Sequence, residues 1–145
     1  MNSKIYITWN EFHQDVKNLC QKIKQTGKEY NKIVAISRGG FIPAGIISYE
    51  LDIRNTSVVN IISYHGSSQT KIEKIDNLET IGNIDEKTLI IDDISDTGQT
   101  IKLMRKTFPC GTYATVYVKE KGKNDPNIFE KEVPDRWLVF PWDIE

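Results

Sequence analysis

The sequence contains no apolar run approaching the roughly 18 residues of a membrane-spanning helix. It has only two cysteines, Cys20 and Cys110, which lie in unrelated contexts without a CxxC pair. Such sparse cysteine favours ordinary reduced thiols over a disulfide framework or a zinc site. No charged N-terminal region precedes a long apolar stretch, so no signal peptide is predicted. These absences together predict a cytoplasmic protein without a transmembrane segment.

A strong charge of one sign is missing as well, because 19 basic residues face 20 acidic residues, for a formal net charge of −1. Proteins that attract nucleic acid through their overall charge carry a basic excess, so we predict no nucleic-acid partner. The 145 residues are 39% hydrophobic and 27% charged, which is enough apolar content for a core. This length fits one compact domain.

Two common phosphate-binding motifs, the P-loop pattern GxxxxGK[ST] and the dinucleotide pattern GxGxxG, are also absent. What is present is an alternation of short apolar runs with segments of helical apolar spacing. The predicted strands are residues 32–37, 57–63, 87–92 and 112–118. The predicted helices begin after the capping residue Thr8 and near Phe41 and Gly98. The polar stretch 64–86 is predicted to be a long loop. This order predicts an α/β fold with a mainly parallel sheet flanked by helices.

Three polar clusters follow the carboxyl ends of predicted strands. Ser37, Arg38 and Gly39 follow the first of these strands, residues 92–100 follow the third, and Lys119 follows the fourth. Ligands of open α/β sheets bind outside the carboxyl ends of the strands. We therefore expect the three clusters to share one edge of the sheet and to form one site.

The stretch "IIDDISDTGQT" indicates the chemistry of that site. Thr97, Gly98 and Thr100 lie where a strand turns into a helix, and a helix start with small hydrogen-bonding residues suits a phosphate. Asp92 and Asp93 would repel a phosphate, but acceptor-only oxygens suit sugar hydroxyls or a hard cation such as Mg²⁺. The combination predicts a sugar-phosphate ligand. The alternative without a ligand is that Asp92 and Asp93 only cap the strand and Asp96 only caps the helix.

The same stretch resembles the signature for phosphoribosyl diphosphate (PRPP) of the type I phosphoribosyltransferases. "VAISRGGFIPAGIISYEL" looks like the pyrophosphate loop of that family. "VPDRWLVFPWD" is similar to the purine-binding hood of its bacterial xanthine-guanine branch. The resemblance covers nearly the whole chain and implies the type I fold, with a core at about residues 1–120 and a small C-terminal hood at about 121–145. It also implies Mg²⁺, the substrates PRPP and a 6-oxopurine, and a homo-oligomer, either a dimer or a tetramer.

The resemblance further implies a role for individual residues. Asp92 and Asp93 would contact the ribose hydroxyls, and Asp93 and Asp143 would contribute to the metal site. Asp96 would exchange a proton near the purine N7. Ser37, Arg38 and Gly39 would bind the pyrophosphate, and a cis peptide bond is expected between Arg38 and Gly39. The 5′-phosphate would be bound by Thr97, Gly98, Gln99 and Thr100. The purine would be bound by Lys119, Trp137 and Leu138.

Several alternatives stay open on the sequence alone. Gln99 replaces a small residue that the family more often has, and Thr70 or Lys71 takes the place of the basic residue of its mobile loop. Lys119 could belong to a solvated charge run, and the aromatic cluster Trp137, Phe140 and Trp142 could be core. At the level of function, the alternatives are a non-catalytic sensor of PRPP or nucleotides on the same fold, and a transferase for another nucleobase.

Overall fold

The computed structural model describes residues 3–65 and 71–145. In this part of the chain, a six-stranded sheet has the order β4-β3-β2-β5-β6-β7, and a two-stranded sheet pairs β1 with β8. The strands are β1 Ile5–Tyr6, β2 Lys32–Ser37, β3 Thr56–His65, β4 Lys71–Ile75, β5 Thr88–Ser95, β6 Thr112–Val118, β7 Ile128–Glu132 and β8 Leu138–Val139. The helices are α1 Trp9–Gln25, α2 Phe41–Glu50 and α3 Gln99–Thr107. The predicted α/β class with a mainly parallel sheet is confirmed.

The helix boundaries follow from local sequence. The Thr8 hydroxyl accepts a hydrogen bond from the Glu11 N–H at 3.1 Å and caps α1, as the capping pattern predicts. Gly27, with φ at 73°, follows the end of that helix. The first turn of α2 includes Pro43, whose ring is compatible with a helix start.

The core divides into two layers, one on each face of the parallel strands. One layer packs α1 and α2 against the sheet through residues such as Phe12, Ile47 and Ile91. The other packs α3 against the opposite face, through Ile90, Ile101 and Met104. Consecutive residues of β5 therefore alternate between layers, as the strand geometry requires. In the described part of the chain, no helix is both long and apolar enough to cross a bilayer.

The structure differs from the sequence-based expectation at three places. Residues 64–86, predicted as a loop, include β4, which pairs antiparallel with β3. Strand β5 continues through Asp92 and Asp93 to Ser95, beyond its predicted end at residue 92. Within the segment predicted as the hood, Ile128–Glu132 forms a parallel edge strand of the main sheet beside β6. Ladder hydrogen bonds to a neighbouring strand explain all three, since they can make a polar stretch extended.

Candidate active site

Most of the predicted site residues lie around the carboxyl ends of β2 and β5, in two clefts. The first cleft, of about 720 Å³, is lined by Arg38, Gly39, Asp93 and Asp143, together with Phe41 and Trp142. The second is lined by Asp92 and residues 94–101, together with Glu73. Because side chains alternate along a strand, Asp92 and Asp93 face different clefts. The site thus has one compartment beside the β2 loop and another beside the start of α3.

The two acids of β5 are held in place by short backbone contacts. Asp92 Oδ1 accepts a hydrogen bond from the Asp93 N–H at 2.8 Å, and Asp93 Oδ1 accepts one from the Ile94 N–H at 2.7 Å. Burial, and then the charge of Asp93, raise the pKa of Asp92 well above its usual range. Burial also raises the pKa of Asp93, with a smaller contribution from Asp143. This pair is therefore short of positive charge.

The donor set of this acidic pair fits a hard cation. Among the ion pairs of the described side chains, none includes Asp92 or Asp93. The same part of the chain shows no cluster of three or more potential metal ligands. Mg²⁺ is commonly held by one or two carboxylates while substrate phosphates and water complete its shell. Asp93, with Asp143 nearby, therefore suits Mg²⁺ that arrives with a phosphorylated substrate.

The loop after β2 is closed by hydrogen bonds that the sequence does not reveal. The Ser37 hydroxyl donates to Asn60 Oδ1 at 3.0 Å. The Gly40 N–H donates to the Ile36 carbonyl at 2.8 Å, so it is not available for a phosphate. The cis peptide bond lies between Ser37 and Arg38, one residue before the predicted position. The chain reverses immediately after β2 ends at Ser37, which accounts for the earlier position.

Both glycines of this loop are required by close packing. A Cβ added to Gly39 would lie 2.4 Å from Asp93 Oδ2. A Cβ added to Gly40 would lie 2.5 Å from the carbonyl oxygens of Ile36 and Ile91. The absence of side chains thus lets the β2 loop lie directly against β5, with Gly39 beside Asp93.

The start of α3 has the features of an anion cradle. Gly98 precedes the helix with φ at 86° and is buried. The Thr97 hydroxyl accepts from the Gln99 N–H at 3.4 Å, which is a long and weak contact. The first N–H groups of a helix have no partner within the helix and carry the positive end of its dipole. Gln99 is the first residue of this helix, and its side chain is exposed.

Lys119 and Asp96 form an ion pair at the carboxyl ends of β6 and β5. Lys119 is only 7% exposed, and its Nζ lies 3.5 Å from Asp96 Oδ2 and 3.9 Å from Asp135 Oδ1. The next two residues, Glu120 and Lys121, are exposed. Lys119 is therefore a buried cation beside Asp96 and not a member of a solvated charge run.

The aromatic cluster near the C-terminus separates into two roles. Phe140 and Trp142 stack at a ring-centroid distance of 4.7 Å, and both pack edge-on against Phe12. They belong to the core, as the alternative interpretation held. Trp137, in contrast, is 67% exposed and borders a shallow cleft with Asp143 and Ile144. Among these three aromatic residues, Trp137 has the most exposed ring, although Trp142 also borders the first cleft.

The backbone of β8 presents groups next to this exposed indole. The carbonyl groups of Trp137 and Val139 accept from the N–H groups of Ile5 and Ile7 at 2.9 and 3.0 Å. Because backbone carbonyl groups alternate in direction along a strand, the carbonyl group of Leu138 points away from β1. The Leu138 backbone groups thus face away from β1, and the Leu138 side chain is buried.

Glu73 is a residue of the site that the sequence did not indicate. Glu73, from β4, accepts a hydrogen bond from the Thr100 hydroxyl with its Oε2 at 3.1 Å. The polar stretch that contains it was predicted as a loop, so only its short run "KIEKI" could have signalled a strand. The predicted role of Thr70 or Lys71 concerns side chains outside the described part of the structure.

A comparison with known protein families agrees with this geometry. The family described as phosphoribosyl transferase domain matches residues 3–145. The chain is also 41% identical over 140 residues to the xanthine-guanine phosphoribosyltransferase of Nitratidesulfovibrio vulgaris, covering 96% of this chain and 84% of that protein. The chain belongs to the phosphoribosyltransferase family. The resemblance seen in the sequence is confirmed.

Two solved structures show the same fold. A purine phosphoribosyltransferase from Pyrococcus horikoshii matches with a TM-score of 0.80 and 27% identity, covering 100% of this chain and 96% of that chain. A Neisseria gonorrhoeae protein solved with bound ppGpp matches with a TM-score of 0.83 and 25% identity, covering 99% and 91%. The type I phosphoribosyltransferase fold is therefore confirmed for this chain.

Proposed function

We propose that this phosphoribosyltransferase transfers the phosphoribosyl group of PRPP to guanine, xanthine or hypoxanthine, giving a nucleoside monophosphate and pyrophosphate in purine salvage. The observation that carries the proposal is the buried Lys119 ammonium 3.5 Å from Asp96, at the carboxyl ends of β6 and β5. A cation of this kind can bind the O6 carbonyl of an oxopurine. The relative from Nitratidesulfovibrio vulgaris carries the name of this activity.

Each group has one role in the proposed reaction. The bond from C1′ to the pyrophosphate oxygen breaks as the purine nitrogen bonds to C1′, and the purine loses a proton to Asp96. The Trp137 ring stacks on the purine, and the Leu138 backbone binds its edge. Residues 97–100 hold the 5′-phosphate, and Asp92 contacts the ribose hydroxyls.

The pyrophosphate half of the site combines the β2 loop with the acidic pair. Ser37, Arg38 and Gly39 bind the pyrophosphate of PRPP, with the Arg38 guanidinium as the cation. Asp93 and Asp143 would hold Mg²⁺, which would supply positive charge to the departing pyrophosphate. The lack of a cationic partner for Asp93 among the described side chains supports this assignment.

The substrate assignment is tested with the purified protein, PRPP and Mg²⁺. We expect the ultraviolet spectrum to change from base to nucleotide with guanine, xanthine or hypoxanthine. We expect no change with adenine, because the Lys119 ammonium has no O6 to bind and would face an amino group. Turnover of adenine alone, or of a pyrimidine alone, would contradict the proposal and favour a transferase for another nucleobase.

A nucleotide-sensing protein is the second candidate, favoured by the likeness to the Neisseria gonorrhoeae protein solved with ppGpp. The two candidates differ in a simple measurement. Calorimetric binding of PRPP or a guanine nucleotide without turnover of any base would support the sensor. Turnover of a 6-oxopurine would support the enzyme.

We further propose that the chain forms a homodimer through the outer face of α2. Between Phe41 and Tyr49 this helix carries no charged residue, and Phe41 and Tyr49 are 48% and 90% exposed. Gly45 lies between them, and a Cβ added there would meet nothing within 4 Å. The exposed rings of Phe41 and Tyr49 project on either side of the space at Gly45. A surface of this shape can pack against its own copy related by a two-fold axis.

The dimer is tested by measuring the molar mass in solution by light scattering. We expect Tyr49→Glu to convert a dimer into a monomer, because it would place a charge within an apolar contact. The matched control is Leu78→Glu, since Leu78 is 49% exposed and lies outside α2. A dimer that persists in Tyr49→Glu would contradict this surface.

A single domain remains the proposed organisation, with a core at about residues 1–120 and the hood at about 121–145. The pairing of β1 with β8 supports it, because it ties the first described strand to the hood. A cytoplasmic location also stays a prediction. It agrees with the free thiols of Cys20 and Cys110.

A further inference from the structure

The second cleft holds a carboxylate where the proposed ligand would place a phosphate. Glu73 reaches from β4 to the first turn of α3, where the Thr100 hydroxyl lies 3.1 Å from Oε2 and 3.5 Å from Oε1. Glu73 is partly buried and lines the same cleft as Thr97, Gly98 and Gln99. A carboxylate thus uses a donor that the 5′-phosphate would need.

The charge of Glu73 adds to an environment that is already negative. Asp92 lines the same cleft, and Glu73 contributes to the raised pKa of Asp92, after burial and Asp93. A phosphate that enters the cleft therefore meets the helix start on one side and the Glu73 carboxylate on the other. The negative charges of the phosphate and of Glu73 would repel each other, and the partial burial of Glu73 weakens the screening by water.

We propose that Glu73 sets the affinity of the site for ribose 5-phosphate groups, because its carboxylate must leave the Thr100 hydroxyl before a phosphate can accept that hydrogen bond. The inference rests on the proposed function, since the phosphate of PRPP and of the nucleotide product is the ligand concerned. Glu73 opposes binding of both molecules. It acts through Thr100 and the local charge, without a part in the chemical step.

The experiment compares the full-length protein with Glu73→Gln and Glu73→Ala, using calorimetric titration with ribose 5-phosphate and with PRPP. Gln keeps an oxygen that can accept from Thr100 but removes the charge, whereas Ala removes both. We expect Glu73→Gln to lower the Kd about three- to tenfold at low salt, and less at high salt. Glu73→Ala should lower it at least as much.

Two controls separate this effect from a general change of charge or structure. Glu79→Gln removes the same charge at an exposed position of the same segment and should leave the Kd unchanged. The variant Thr100→Val removes the hydroxyl, and Glu73→Ala should then change the Kd less than it does in the natural sequence. If Glu73→Ala changes the Kd equally in Thr100→Val and in the natural sequence, the role proposed for the Thr100 hydroxyl is wrong.

The remaining outcomes distinguish the inference from the proposed function. Equal or weaker binding by Glu73→Gln, with clear binding by the natural sequence, would overturn only the role of Glu73. Failure of the natural sequence and every variant to bind ribose 5-phosphate or PRPP would overturn the proposed function itself, and this inference with it. Tighter binding, which damage to the fold does not produce, would support it.

Discussion

Replacing Asp96 by Asn is expected to lower kcat about 10²- to 10⁴-fold, the range that general acid–base groups contribute. The amide has nearly the shape of the carboxylate but cannot take a proton from the purine. Asp96 is exposed over 56% of its side chain, so the substitution should change Tm by no more than about 3 °C. The kcat is measured with saturating PRPP and a 6-oxopurine.

The affinity for PRPP decides whether the loss belongs to the chemical step. We expect calorimetry to give Asp96→Asn a Kd for PRPP within about threefold of the natural sequence, since Thr97 to Thr100 and Asp92 remain. Asp135→Asn serves as the comparison, because Asp135 also faces the Lys119 ammonium, at 3.9 Å. This variant should reduce kcat less than about tenfold, which is the effect of a weakened ion pair alone. An Asp96→Asn protein with undiminished kcat would show that Asp96 is not the proton acceptor.

The second large effect is expected from Gly98→Ala. Gly98 has φ at 86°, a conformation in which a side chain is strained by about 1–2 kcal/mol. The added Cβ would also lie 1.8 Å from Asp125 Oδ2, so either Asp125 or the start of α3 must move. We expect ribose 5-phosphate binding to weaken at least tenfold, and Tm to fall by about 4–10 °C.

Gly27→Ala provides the matched control for the strain alone. Gly27 also has positive φ, at 73°, but a Cβ added there would meet nothing within 4 Å. We expect its Tm to fall by about 3–6 °C with no change in ribose 5-phosphate binding. Adding Asp125→Ala to Gly98→Ala should restore part of the lost binding. Unimpaired binding by Gly98→Ala would contradict the assignment of this helix start to the phosphate.

The fold shows where local patterns are sufficient. The strand at residues 32–37 and the one at 112–118 are found at their predicted bounds, because both are buried apolar runs. Strand β4, with its charged "KIEKI", was missed, since its extended form depends on hydrogen bonds to β3 and not on its own composition. Strand β7 was missed for the same reason, as β6 supplies its partner.

The candidate site shows the same division. The polar residues after β2, β5 and β6 could be found from the sequence, because parallel strands bring their carboxyl ends to one edge. The distinction between the exposed Trp137 and its packed neighbours Phe140 and Trp142 could not be found from the sequence. It depends on the packing of the last two against Phe12, which is more than 100 residues away in the chain. The contact of Glu73 with Thr100 is likewise a contact between distant segments.

The sequence by itself determined the class of fold, the edge of the sheet that carries the site and the family, because periodicity and short motifs are local properties of the chain. Only the tertiary structure decided that Asp92 and Asp93 face separate clefts and that Lys119 is buried beside Asp96. It also decided that Glu73 accepts a hydrogen bond from the Thr100 hydroxyl at the start of α3. Burial, the proximity of like charges and hydrogen bonds between distant segments arise from folding, and no local pattern encodes them.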